Sequence, residues 1–224
     1  MIKKISPSVM CADFLDLKAT LREFEERRIE LLHVDIMDGV FVPNFTLGTD
    51  FVKTLKKNTT IPLDIHCMVT DVEKKLEWFP FGEGDYVSVH YESTQHLGEA
   101  LTYIRSKGAK PMIALSPDTP ISVLNEYLDS IDAVLIMTVY PGFAGQKLIE
   151  STLDKIRALR VFLDKNGYED IEIEVDGNVS FTNAVRMNEA GANIFVAGTS
   201  SVFRSDMSLE EGITKLRQVI NAQV

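Results

Sequence analysis

The feature that most constrains this chain is a repeated alternation. Short, β-branched apolar runs recur along its length, at residues 4–10, 31–36, 63–68, 86–89, 110–115, 133–139, 171–175 and 194–197. Most end in turn or polar residues, as buried strands do. Between them lie stretches with apolar residues at helical spacing. Phe14, Leu17, Leu21 and Phe24 step by three and four, with Asp13 placed to cap the helix. Further helical stretches read over 94–106, 121–128, 149–165, 182–190 and 209–221. Gly108, Gly167 and Gly191 follow three of them, where a left-handed helix cap calls for glycine. Strands joined in series by helices run parallel. Eight such units favour an α/β fold closed into a (β/α)8 TIM barrel. A six-stranded open sheet is the alternative, because the runs at 86–89 and 171–175 are short.

The 224 residues suffice for one such barrel, somewhat under the usual ~250. No Pro/Gly/Ser-rich linker interrupts them, so residues 1–224 are assigned to a single domain. The formal charge of -10 argues against a broad basic face for nucleic acid. Cys11 and Cys67 lie in apolar segments and suit a reducing compartment; a disulfide between them is allowed, but nothing calls for one. The first seven residues lack the apolar core of a signal peptide. No apolar run approaches the roughly 18 residues that span a bilayer. The expectation is a soluble cytoplasmic protein with no membrane partner.

In a barrel the chemistry gathers at the C-terminal ends of the strands. His33 and Asp35 are two apart and so share one face of a strand. His66 lies at the matching end of the next strand, and Asp176 ends a strand across the barrel. Two imidazoles and two carboxylates converging there suit zinc, iron, manganese or cobalt better than calcium. Each residue alone has a plainer reading, as a hydrogen-bonded core histidine or a helix-capping aspartate; it is the set of four that points to metal. Gly142, Gly145, Gly177 and Gly198 follow the last three strands. Glycines there let backbone N–H groups approach a phosphate at a helix N-terminus, which an acidic protein needs in place of a basic cluster. The alternative is that they only make tight turns. Met37, Met68 and Met137 fall in the same zone, either as core filling or as an apolar collar excluding water. His90 ends a strand and either lines the pocket or makes a structural hydrogen bond; His96 reads as surface helix.

Five segments carry a resemblance over nearly the whole chain. They are Ser6-Pro7-Ser8, His33-Val34-Asp35-Ile36-Met37-Asp38-Gly39-x-Phe41-Val42-Pro43-Asn44, Leu63-Asp64-Ile65-His66-x-Met68, Pro141-Gly142-Phe143-x-Gly145-Gln146 and Glu174-Val175-Asp176-Gly177. With these the chain resembles the ribulose-phosphate 3-epimerase family of (β/α)8 barrels. The resemblance implies that His33, Asp35, His66 and Asp176 bind one divalent ion, zinc in the first place and manganese, cobalt, iron or magnesium otherwise. It implies that Asp35 and Asp176 are the two acid/base residues. It implies that Ser8, His66, Gly142, Phe143, Ala144, Gly145, Gly177, Asn178, Gly198 and Thr199 contact a small phosphorylated ketose, with Met37, Met68 and Met137 as the collar. A homo-oligomer, dimer or hexamer, goes with it.

The chain departs from the family pattern around the substrate. Tyr140, Ala144 and Asn178 stand where the family typically has Asn, Gly and Gly, and Met10-Cys11 replaces a Leu-Ser or Leu-Ala pair. Asn178 is expected to alter the phosphate end. Met10-Cys11, Met68-Val69-Thr70, Met137-Thr138-Val139, Gly142-Phe143-Ala144-Gly145-Gln146 and Gly198-Thr199-Ser200 look more like the D-allulose-6-phosphate 3-epimerase branch. That likeness implies D-allulose 6-phosphate ⇌ D-fructose 6-phosphate as first choice, with D-ribulose 5-phosphate ⇌ D-xylulose 5-phosphate as the alternative. A Schiff-base aldolase would need a lysine at a strand's C-terminal end, and none is placed there. The Asp-x-Lys-x-x-Asp pattern of orotidine-type decarboxylases is absent. A non-catalytic sugar-phosphate-binding barrel would not need both aspartates, and both are present.

Overall fold

The computed structural model describes residues 2–222. Among these, nine strands form one sheet: β1 (Lys4–Pro7), β2 (Leu32–Asp38), β3 (Phe45–Thr46), β4 (Leu63–Met68), β5 (Tyr86–His90), β6 (Lys110–Leu115), β7 (Ala133–Met137), β8 (Glu172–Asp176) and β9 (Ile194–Ala197). The order is β1-β9-β8-β7-β6-β5-β4-β2-β3, parallel throughout except for β3, which turns back antiparallel on the end of β2. A parallel bridge between Ser8 and His33 joins the two ends, so the eight parallel strands close into the expected barrel. The open-sheet alternative falls, because the two short runs became β5 and β8, each paired on both sides.

The alternation of side chains along each strand sorts the barrel into two faces. On β4, Leu63, Ile65 and Cys67 join the large apolar cluster between strands and helices, while Asp64, His66 and Met68 face the interior. On β8, Ile173 and Val175 do the former and Glu172, Glu174 and Asp176 the latter. Helices α1 (Leu17–Glu26), α2 (Thr49–Asn58), α3 (Val72–Lys75), α4 (Leu97–Ser106), α5 (Ser151–Lys165), α6 (Phe181–Ala190) and α7 (Leu209–Asn221) cover the outside. Each fully buried Leu, Ile or Phe on that layer contributes about 1.5–3 kcal/mol. The N-terminal end of the barrel is plugged by polar groups that satisfy one another. Tyr86 Oη donates to Glu172 Oε2 (2.6 Å) and accepts from Lys4 and Lys110 Nζ (2.8 Å each).

The elements differ from the expected ones at their ends. β1 stops at Pro7 and gives way to a 3₁₀ turn, Val9–Cys11. The first helix begins at Leu17 after Asp16, leaving Phe14 half exposed, and Asp13 instead accepts from the Leu15 N–H in a turn. The stretch 121–128 forms two 3₁₀ segments, Ile121–Glu126 and Leu128–Ser130. α2 and α3 were not expected: α2 buries only Val52 and Leu55, too few apolar positions to reveal a period. Gly191 caps α6 in the left-handed conformation, as expected. Cys11 and Cys67 are both free thiols. Among the described residues no helix is long and apolar enough to cross a membrane.

Candidate metal and acid–base site

The site stands where the barrel closes. β2 presents His33 and Asp35, β4 presents His66 opposite Asp35 in register, β8 ends in Asp176, and Ser8 bridges from β1. Four ligand atoms converge. His33 Nε2 lies 3.2 Å from Asp35 Oδ1 and 3.7 Å from Asp176 Oδ2; His66 Nδ1 lies 3.4 Å and 3.6 Å from the same two oxygens. His33 Nε2 and His66 Nδ1 are wholly buried and, among the described residues, have no hydrogen-bond partner. Two buried imidazole nitrogens left bare cost free energy unless something binds them. Metal–ligand bonds of about 2.0–2.1 Å place tetrahedral ligands about 3.4 Å apart, close to the spacing here. The residues present therefore fit a divalent ion, with two neutral imidazoles and two carboxylates balancing its charge.

The layer beneath sets the orientation of these groups. His33 Nδ1 lies 2.7 Å from Asp64 Oδ2, which also accepts from Ser6 Oγ (2.8 Å). An Nδ1–H donated there leaves the Nε2 lone pair facing the site. Glu174 sits 3.4 Å from the same nitrogen, fully buried, its own oxygens unpaired. Burial, then the Asp64 carboxylate, pushes its carboxyl well above the usual range. Asp64 and Glu174 were not among the expected site residues, although each stands two positions before one that was. His66 Nε2 meets His90 Nε2 at 2.9 Å, and His90 Nδ1 lies 3.1 Å from Glu92 Oε2. Burial pushes the His90 ring down to about 4, so it stays neutral at pH 7.

The two aspartates are driven apart in acidity. Burial would raise Asp35, but the His33 ring and then His66 overcome it and hold its carboxyl well below the usual range. Ser8 Oγ adds a hydrogen bond to Asp35 Oδ2 at 2.6 Å. Burial pushes Asp176 up to about 7, opposed by the His33 ring and helped by the Asp35 carboxylate.

An open cleft lies above them at the mouth of the barrel. Asp35 and Asp176 line it together with Ser8, Met37, Met68, Met137, Gly142, Phe143, Ala144, Gly145, Gly177, Asn178, Gly198 and Thr199. Met10, Cys11 and Tyr140 line it too, without having been singled out as contacts. His33 and His66 lie below the wall, fully buried, so His66 meets the carboxylates and His90 rather than the cleft. Met37 and Met68 pack with Met10, Phe41 and Val42, while Met137 packs with Ala114 and Leu135 on the far side.

The loop after β7 is held from three sides. Gln146 Nε2 donates to the Tyr140 and Phe143 carbonyls, Asn44 Nδ2 to the Gly142 carbonyl (2.9 Å), and Asn178 Nδ2 to the Gln146 carbonyl (2.6 Å). Asn178 adopts a left-handed backbone (φ +49°), and its Oδ1 accepts from Asn183 Nδ2. Both ends of its amide are thus spent on the scaffold rather than on a phosphate in the cleft. His96 sits on the surface beside Glu99.

A family model described as the ribulose-phosphate 3 epimerase family matches residues 4–203. The ribulose-phosphate 3-epimerase of Bacillus subtilis (strain 168) is 38% identical over 214 residues, 96% of this chain and 98% of that protein. The chloroplastic ribulose-5-phosphate-3-epimerase of Arabidopsis thaliana is 44% identical over 201 residues, 89% of this chain and 71% of that protein. Among solved structures, a mutant tryptophan synthase alpha-subunit from Pyrococcus furiosus superposes with a TM-score of 0.66 at 15% identity, covering 99% of this chain and all of that one. That likeness speaks for the TIM-barrel fold alone.

Proposed function

This chain belongs to the ribulose-phosphate 3-epimerase family, and we propose that its reaction is the metal-dependent interconversion of D-ribulose 5-phosphate and D-xylulose 5-phosphate. An epimerase is an isomerase-class enzyme, and the observation that carries the reaction type is the aspartate pair. Asp35 and Asp176 both reach the cleft, and the bare nitrogens of His33 and His66 lie within 3.2–3.7 Å of their carboxylates. The five-carbon substrate is supported by relatives of that name which match nearly the whole chain. The six-carbon reading rests on a few loop residues, and Asn178, the one invoked at the phosphate end, is turned into the scaffold.

The C3 hydrogen of such a ketose is acidic because the negative charge left behind spreads onto the C2 carbonyl. Asp35 removes this proton from one face, and Asp176 returns one to the other; in the reverse direction the roles exchange. His33, Asp35, His66 and Asp176 would hold a divalent ion, which would supply Lewis acidity toward the charge that develops on the substrate. Ser8 holds Asp35 in place through its 2.6 Å hydrogen bond. Met10, Met37, Met68 and Met137 keep water away from the reacting carbon. The phosphate would be met by backbone N–H groups at Gly177–Asn178, on the approach to α6, and at Gly198 after β9.

The test compares kcat/KM for D-ribulose 5-phosphate and D-allulose 6-phosphate on metal-loaded protein. A preference for the pentulose is expected. A large preference for the hexulose would transfer the assignment to that branch, and no exchange of the C3 hydrogen with solvent deuterium in either would refute an epimerase.

A further inference from the structure

Two residues outside the ligand set stand in line with it. His90 ends β5, fully buried, with its ring end to end with that of His66 (centroids 5.0 Å apart, planes 26° apart) and tilted against Phe41 (4.9 Å). Glu92 follows in the 3₁₀ turn Tyr91–Ser93. Its Oε2 lies 3.1 Å from His90 Nδ1, and its Oε1 accepts from the Ser116 N–H (3.0 Å) and the Thr119 hydroxyl.

We infer that Glu92 and His90 are positioning residues for the metal centre, selecting through a one-way chain of hydrogen bonds the tautomer in which His66 can bind metal. The inference rests on the metal reading given above. His66 Nδ1 is the atom that faces the two aspartates, so it must carry a lone pair and the ring proton must sit on Nε2. That proton points at His90 Nε2, 2.9 Å away, which must then accept. His90 in turn carries its proton on Nδ1 and donates it to Glu92. The opposite order is two neutral rings with both protons shifted. It would give His66 an Nδ1–H aimed into the metal site and set the bare His90 Nδ1 against the Glu92 carboxylate. A carboxylate can only accept, so it excludes that order. Ser116 and Thr119 hold Glu92 in place, and Phe41 holds the His90 ring. Metal-bound histidines commonly donate their second nitrogen to a carboxylate or carbonyl. Here a second histidine is interposed, which carries the preference from a turn at the barrel rim to a buried ligand.

The test is Glu92→Gln, a change of little volume. A glutamine amide can donate to His90 Nδ1 and so admits the order that disarms His66. Metal-free protein is titrated with Zn²⁺ or Co²⁺ against a chromophoric chelator, and its melting temperature is followed separately. The expected result is a metal Kd raised roughly 10- to 100-fold, the range for such supporting partners, with the metal-free melting temperature nearly unchanged. In a His90→Phe background the Glu92→Gln change should add nothing further, because the chain is already cut. An unchanged Kd, or equal losses with and without His90, overturns the inference. Wild-type protein that binds no divalent ion overturns the metal reading and the chain with it, and that outcome is distinct. Should a variant not fold, ¹⁵N shifts of the histidine rings in zinc-loaded wild type decide alone: a proton on His90 Nδ1 supports the chain, and one on Nε2 refutes it.

Discussion

Two glycines at the mouth of the barrel are glycine for different reasons, and exchanging each for alanine separates them. At Gly177 an added Cβ would stand 2.6 and 2.8 Å from the Val139 methyls and 2.9 Å from its nitrogen, on a backbone with φ +119°. Carbon contacts are favourable only near 3.5–4.0 Å. Backbone strain of about 1–3 kcal/mol and forced repacking of a similar size put the cost of Gly177→Ala at roughly 2–6 kcal/mol. At about 2–4 °C per kcal/mol for a chain of this size, the melting temperature should fall by about 5–20 °C. At Gly198 the backbone is not left-handed, and an added Cβ would meet only Cys11 Sγ, at an ordinary 3.5 Å. The fold therefore does not require glycine there; under the proposed function, close approach of the substrate phosphate to the backbone would. Gly198→Ala should melt within about 2 °C of wild type, since no clash arises. It should lose one charge-assisted hydrogen bond to phosphate, about 1.5–3 kcal/mol. That is a roughly 10- to 100-fold rise in KM with kcat little changed. Calorimetry and steady-state kinetics on the two variants give the answer. A wild-type KM in Gly198→Ala would remove this loop from the phosphate site, and an unshifted melting temperature in Gly177→Ala would refute the steric reasoning.

Asp35→Asn and Asp176→Asn, each assayed at saturating metal, should lose epimerisation by at least about 10²–10⁴-fold. Turnover within tenfold of wild type in either would sink the two-base assignment. Dialysis against a chelator should lower the melting temperature, and metal restored at 100 times its Kd should return about 2.7 kcal/mol of stability; a melting temperature blind to metal would contradict the site. Asp38 anchors the turn after β2 by accepting from the Val40, Phe41 and Thr70 N–H groups and from Lys75. Burial would raise its carboxyl, but the Phe41 and Val40 N–H groups lead the contacts that hold it well below the usual range. A depressed carboxyl stabilises fully above its unfolded pKa of about 4 and loses that contribution as pH falls below it. The melting deficit of Asp38→Asn should therefore be largest at pH 7 and shrink below pH 4; a deficit independent of pH would refute the role.

What could be read ahead of the structure, and what could not, follows from how far each inference reaches along the chain. The barrel strands are local: short β-branched runs bury both faces, and all eight lie where the runs are. α2 escaped because only Val52 and Leu55 are fully buried on it, and 121–128 showed helical spacing that its chain realises as 3₁₀ turns. At the site, the two-residue period that placed His33 with Asp35 applies equally to Asp64 with His66 and to Glu174 with Asp176. It finds the residues that share a face but not their depth. Depth depends on the stagger of neighbouring strands, here the pairing of Asp35 with His66 and of Met137 with Asp176. That stagger lifts Asp35 and Asp176 to the cleft floor and leaves Asp64 and Glu174 beneath as support. The His90–Glu92 contact lies further still from any local pattern. It depends on β4 lying next to β5 and on two ring orientations, and the sequence shows only a histidine at a strand end with a glutamate two residues on. Most residues that line the cleft are thus ones a linear pattern finds first. Those that decide which proton a ligand carries emerge only once the strands are side by side.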